Sequence, residues 1–178
     1  MKKLLVFLMV LCSVNSFAQH KRSDGNGPTT GFKIFAEGGY SQGAGIYGEE
    51  RVSFMASAGY FFKSHLFTGI GSGENYYTSS KKHSIPLYGI IRVNLLNNSI
   101  SPFIDAKVGY SIGDIKGLYF TPSVGARWMI DDIIAFTTSI GYEFQRTDDL
   151  NLNNNNNINA VQSKHNIGAL SLKIGFEF

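Results

Sequence analysis

The chain has 178 residues, of which 16% are charged, with a formal net charge of +3 and 14 Phe and 9 Tyr among its aromatics. Soluble domains average roughly 25% charged residues, so the composition leans away from an ordinary water-soluble enzyme. A single cysteine excludes an intrachain disulfide, and the near-balanced charge shows no basic stripe of the kind that nucleic-acid binders carry.

Residues 1–18 read as a secretory signal peptide. Lys2 and Lys3 open it, Leu4 to Leu11 form a short apolar stretch, and Ser16-Phe17-Ala18 makes a small-x-small cleavage site before Gln19. The apolar stretch is far shorter than the roughly 20 residues a spanning helix needs. Cys12 lacks the small residues that precede a lipidated cysteine and belongs to the signal. Without this segment, 14 basic side chains face 13 acidic ones. Residues 19–30 are polar, carry Gly25, Gly27 and Pro28, and predict a flexible lead-in.

From Gly31 onward the pattern has a period of two, the signature of strands with one apolar face. Strands are predicted at Gly31–Tyr40, Arg51–Phe62, Leu66–Tyr77, His83–Leu95, Ile100–Ser111, Leu118–Ile130, Ile133–Gln145 and His165–Phe178. Each is long enough for the roughly 9–11 residues with which a tilted strand crosses a bilayer. Connections at Lys63-Ser64-His65, Leu96 to Ser99 and Asp131-Asp132 are tight. Those at Ser41 to Glu50, Thr78 to Lys82, Ile112 to Gly117 and Arg146 to Lys164 are mostly longer and polar. Loop parity fits pairs of Phe62 with Leu66 and of Leu95 with Ile100, because a slip of one residue turns every side chain to the other face.

One wall of these strands is apolar. It runs through Phe32, Ile34, Ala36 and Tyr40, then Val52 to Phe62 at even numbers, then Leu66, Thr68 and Ile70. In the remaining strands it includes Ile91, Ile104, Val124, Ile140 and Leu170 to Phe178 at even numbers. None of the positions assigned to it is Asp, Glu, Lys or Arg. The opposite wall carries Lys33, Glu37, Arg51, Arg92, Asp105, Lys107, Arg127, Glu143, Lys173 and Glu177, interleaved with Gly39, Gly59, Gly71, Gly109, Gly125, Gly141 and Gly175. Glycine weakens a solvent-facing strand, but inside a narrow barrel it makes room for long neighbours. The polar wall is therefore read as the interior and the apolar wall as the lipid face, where a mid-bilayer Lys or Arg would cost roughly 2–4 kcal/mol. Tyr40, Tyr110, Phe120, Tyr142 and Phe144 would form an aromatic belt at one end, and Phe32, Phe62, Trp128, Phe176 and Phe178 one at the other. The predicted class is all-β, an eight-stranded antiparallel up-and-down transmembrane β-barrel.

At these residues the chain resembles the small eight-stranded outer-membrane β-barrels, the OmpA-type transmembrane domain and its loop-bearing relatives. The resemblance covers Gly31 to Phe178. Its most specific element is the C-terminal strand, with Phe178 preceded by Phe176, Ile174, Leu172 and Leu170. It implies the outer membrane of a Gram-negative bacterium, periplasmic termini, and recognition of that last strand by the barrel assembly machinery. No segment follows Phe178 to match the peptidoglycan-binding domain of larger relatives, so no cell-wall tether is expected.

An eight-stranded barrel is only just wide enough for its own side chains. The ten inward charges are read as an ion-pair network closing the lumen, with a narrow water-lined conduit as the alternative. Catalytic patterns are weak. No Asp precedes a Ser, and His65, His83 and His165 are followed two residues on by Phe67, Ile85 and Ile167, which breaks the His-x-Ser of barrel deacylases. No catalytic residue, metal or cofactor is expected. Gly69-x-Gly71-x-Gly73 lacks the following helix that a phosphate loop requires.

The segment Arg146 to Lys164 is read as an exposed loop, with Asp148, Asp149 and the run Asn153 to Asn157 available to a surface partner. Lys81, Lys82, Lys116, Arg146 and Lys164 are candidates for lipopolysaccharide phosphates. The leading expectation is a monomeric, non-enzymatic outer-membrane barrel that contributes to envelope integrity or surface interaction, with outer-membrane lipids and lipopolysaccharide around it. A narrow pore is the rival, and a lipid-modifying enzyme the third reading.

Overall fold

Strands that are apolar on one face and polar on the other can satisfy both by curling until the polar faces meet. In the computed structural model, which describes residues 30–44, 48–62, 65–131, 133–150 and 162–178, the chain does this with eight strands. They are β1 (Gly31–Ala44), β2 (Arg51–Phe62), β3 (Leu66–Tyr77), β4 (Lys82–Asn94), β5 (Ile100–Gly113), β6 (Gly117–Met129), β7 (Ala135–Leu150) and β8 (Gln162–Glu177). Each pairs antiparallel with its neighbours in sequence, and β8 closes on β1. A closed meander has no free edge, so its backbone polar groups are satisfied within the ladder, as a hydrocarbon surrounding demands.

The registers fix the barrel's geometry. Cross-strand partners run from Gly31 to Phe61, Phe67, Arg92, Asp105, Ser123, Gly141 and Ser171, and return to β1 at Ser41, ten residues above the start. That stagger tilts the strands by about 40° and leaves an interior filled by side chains.

The outer face is apolar and bare. Ile70 is 76% exposed, Phe54 68%, and Ile91, Ile104, Val124, Leu172 and Ile174 all exceed half. An apolar surface that continues around a whole molecule is a lipid-facing surface. Its turn-end rim carries a run of touching rings, Trp128, Phe136, Phe176 and Phe178, with centroids 5.6–6.4 Å apart. Charge returns to the outward parity near the loop end, at Glu74 on β3 and Arg146 on β7. Glu74 continues the outward parity of β3 beyond Ile70 and points out near the loop end, 58% exposed at its side chain.

Several boundaries differ from those read in the sequence. Leu95 does not pair with Ile100. Its N–H donates to Pro102 O at 2.8 Å, and Ser101 Oγ donates to Leu96 O at 2.6 Å, so the turn is wider by two residues and the faces are unchanged. At the next turn Ile130 N–H donates to Ile134 O at 2.9 Å, which places Ile133 in the turn rather than in a strand. At the opposite end β1, β5 and β7 run on past Tyr40, Ser111 and Gln145. Two connections there, Thr78 to Lys81 and Asp114 to Lys116, are therefore as short as the turns, and the contrast in length rests on the other two. Beyond the apolar band alternation stops, yet backbone pairing continues, because the ladder needs no apolar face where water surrounds it.

Candidate functional site: the barrel lumen

All ten charged residues of the inner wall point into the lumen, and none is more than 6% exposed. Strand tilt arranges them in three levels. At the turn end, Arg127 grips Glu177 through Nε and Nη2 at 2.7 and 3.1 Å, while Lys33 lies 3.7 Å from Glu177 and donates to the turn carbonyl of Ile133 at 3.2 Å.

In the middle, Arg92 binds Asp105 through Nε and Nη2 at 3.0 and 2.7 Å, and its Nη2 also meets Glu37 at 2.9 Å. Lys107 donates to the other oxygen of Glu37, and Ser123 to the other oxygen of Asp105. Each carboxylate is thus held by two donors. Toward the loop end, Glu143 forms ion pairs with Arg51 at 2.7 Å and with Lys173 at 2.6 Å.

The lumen is also more aromatic than a polar wall suggests. Phe35, Met55, Phe61, Phe67, Tyr88, Ile90 and Tyr119 form one buried cluster. The Arg92 guanidinium lies between two rings, 4.6 Å from the centroid of Phe35 and 4.1 Å from that of Phe103. This arrangement suits a delocalised, weakly hydrated cation better than an ammonium. These rings were legible by parity: Phe35 stands midway between Lys33 and Glu37, and Phe103 two residues before Asp105. An apolar residue on a wall already taken as polar draws no notice.

The inward glycines divide by what they admit. A Cβ at Gly39 would sit 2.5 Å from Lys173 Cγ, and one at Gly175 would sit 2.9 Å from Glu37 Cγ, so these two make way for charged side chains. Gly71 and Gly125 instead admit the rings of Tyr88 and Phe103, at 2.6 and 2.5 Å.

The loop end is closed from inside. Tyr77, Ile115 and Ile167 are buried together. Ile115 comes from the short β5–β6 connection and folds into the mouth. Arg51 Nη1 donates to Tyr77 Oη at 2.9 Å, Tyr77 donates to Gln145 Oε1 at 2.6 Å, and Gln145 Nε2 donates to Ile115 O at 3.3 Å. Between this cap and the aromatic floor, every level is spanned by ion pairs.

The proposed surface loop is redrawn. Asp148 and Asp149 belong to β7, paired with Lys164 and Ser163 of β8, and are not loop residues. Asn153 and Asn157 lie outside the described residues, as do residues 1–29 with the signal and most of the lead-in. Of the last strand, Leu170, Leu172, Ile174 and Phe176 face outward and exceed two-fifths exposure, and Phe178 N–H donates to Ile34 O at 2.9 Å, pinning the end of the chain to β1.

One pairing that the short motifs could not reveal lies outside. His83 Nδ1 is 2.7 Å from Glu74 Oε1, its ring packs 4.9 Å from that of Tyr76, and its backbone N–H donates to Asp114 at 3.0 Å. This is an acid–base pair at the outer rim. Among the described residues no three His, Cys, Asp or Glu side chains form a metal-holding group.

No protein-family model matches the chain, and no curated protein matches it in sequence. Solved structures do. Neisserial surface protein A superposes with a TM-score of 0.62 at 12% identity, over 82% of this chain and 95% of that one. The N-terminal β-barrel domain of Pseudomonas aeruginosa OprF gives 0.51 at 12% identity, over 84% and 100%. The outer membrane protein OprG from Pseudomonas aeruginosa gives 0.50 at 11%, over 86% and 98%. At such identities the likeness is one of fold: a closed, eight-stranded antiparallel transmembrane β-barrel, the architecture of these outer-membrane proteins.

Proposed function

We propose that this protein is a non-enzymatic, monomeric barrel of the Gram-negative outer membrane, with periplasmic termini, whose lumen is a plug and whose work is done at its loop end, in envelope integrity or surface interaction. The observation that carries this reading is the filled lumen. Three levels of ion pairs, an aromatic floor and the Tyr77–Gln145–Ile115 cap leave each inward charge 6% exposed or less. A conducting pore needs hydrated charges along its axis. These are instead held pairwise, and two of the arginines lie against rings.

The outer rim fits a lipopolysaccharide surrounding. Lys81, Lys82, Lys116 and Arg146 belong to the loop ends of the strands or to the turns joining them, where lipid phosphates lie. The outward apolar residues of β8 are available to the assembly machinery before they meet lipid.

Planar-bilayer recording of the refolded protein tests the plug. Silence is the expected result, and steady single-channel steps would establish the pore in its place. Mass spectrometry of lipid A from overexpressing cells tests the absence of catalysis: an unchanged acylation pattern is expected, and a new or missing acyl chain would overturn it.

A further inference from the structure

The charge of the sealed part of the lumen does not balance. At the turn end, Lys33 reaches the carbonyl of the exposed turn residue Ile133 and so borders water. Above it, among the described residues, four buried cations (Arg51, Arg92, Lys107 and Lys173) meet three buried carboxylates (Glu37, Asp105 and Glu143). The middle level is neutral, with Arg92 and Lys107 against Glu37 and Asp105. The excess lies toward the loop end, where Arg51 and Lys173 share Glu143. A guanidinium cannot shed its proton in a protein, and a buried charge without a counter-charge is strongly unfavourable.

Three residues beside that excess carry buried donors without partners. Arg51 donates Nη1 to Tyr77 and lies with Nε 2.7 Å from Glu143 as an ion pair, while its Nη2 has no hydrogen-bond partner. Asn75 is 0% exposed and both of its side-chain amide atoms lack partners; the hydroxyl of Ser41, also 0% exposed, lacks one too. The register makes these three neighbours on one inward patch. Ser41 pairs with Arg51 across β1 and β2, and Asn75, opposite Ser53, stands two residues from the Tyr77 that pairs with Arg51. Short inward side chains flank this patch, with Asn75 paired to Ser53 on one side and to Ser84 on the other.

We propose that the upper lumen binds one small monovalent anion of halide size, chloride in the cell, held by Arg51 Nη2, Asn75 Nδ2 and the Ser41 hydroxyl. A single negative charge balances the excess of one, whereas a divalent oxyanion would reverse it. The anion completes the plug of the preceding reading and adds a ligand to it.

The test uses bromide and the refolded chain. Crystals grown in bromide show an anomalous peak within hydrogen-bond reach of Arg51 and Asn75. The midpoint of heat unfolding in detergent rises with bromide and saturates, at ionic strength held constant with gluconate. Asn75→Leu keeps the volume and breaks no described side-chain bond; it removes the peak and weakens the dependence on bromide about tenfold or more, as expected for losing a hydrogen bond to a charged group. Arg51→Met removes the excess charge and abolishes the dependence. The proposal fails if no peak lies in the upper lumen, if bromide and gluconate give the same midpoint, or if Asn75→Leu retains both signals. Should Arg51→Met not fold, the wild-type and Asn75→Leu results decide, and waters alone on these donors count against it.

Discussion

At the scale of single residues, the energetics are those of buried charge. Arg92 touches two carboxylates and two rings at 1% exposure, so nothing in the lumen replaces it. Arg92→Ala leaves Asp105 without its main partner and Glu37 with Lys107 alone. The expected loss is about 3–5 kcal/mol, the range for removing one member of a buried pair. It is measured by urea titration in micelles, following the mobility difference between folded and unfolded barrel on gels. A loss below 1 kcal/mol would place these charges in water-like surroundings and reopen the conduit. Lys81 shows the opposite case. Among the described residues it is the non-glycine residue with a left-handed backbone, φ 54°, at the end of the β3–β4 turn. Its Cβ is strained there, so Lys81→Gly should raise stability by about 1 kcal/mol in the same titration.

At the scale of strands, each has one face answering to lipid and one to a crowded lumen. The lipid face tolerates shape change better than charge. Val124 is 58% exposed on β6 and flanked by Ile104 and Ile140, in the middle of the apolar band. Val124→Arg should cost about 2–4 kcal/mol, read as a lower urea midpoint in lipid vesicles, while Val124→Leu leaves it unchanged. The outward Glu74 escapes this penalty because it stands at the loop-end rim, beside His83 and level with the tyrosines of the outer belt. The lumen face answers to volume. A methyl at Gly71 would enter the Tyr88 ring at 2.6 Å, and one at Gly175 would meet Glu37 and Thr137 at 2.9 Å. That is why glycine recurs at inward positions on every strand but β4, whose inward face is filled by Tyr88, Ile90 and Arg92.

At the scale of the whole molecule, the partition of the two walls fixes how the protein sits. A photoactivated carbene carried on a lipid chain should tag Ile104 and Phe136 in the reconstituted barrel and spare Lys107 and Glu143, as read by peptide mass spectrometry. The reverse pattern would describe a barrel turned inside out. Closure also ties the first strand to the last. Phe178 bonds to Ile34, and the ring run from Trp128 to Phe178 spans β6, β7 and the end of β8. The final residues are thus part of the seam as well as of the apolar wall.

The sequence by itself determined the strand number, the face of each side chain and the lipid-facing band, because strand alternation is local and hydrocarbon penalises each charge one position at a time. It was silent where alternation ends. Asp148 and Asp149 look like loop, yet they continue a strand, since pairing in water needs no apolar face. Only the tertiary structure decided which cation meets which carboxylate. Glu37 and Lys107 are 70 residues apart, and their contact follows from the ten-residue stagger with which β8 closes on β1. The unpartnered donors of Arg51 and Asn75 come from the same cause. A sequence lists inward charges, but only the closed geometry shows which of them balance.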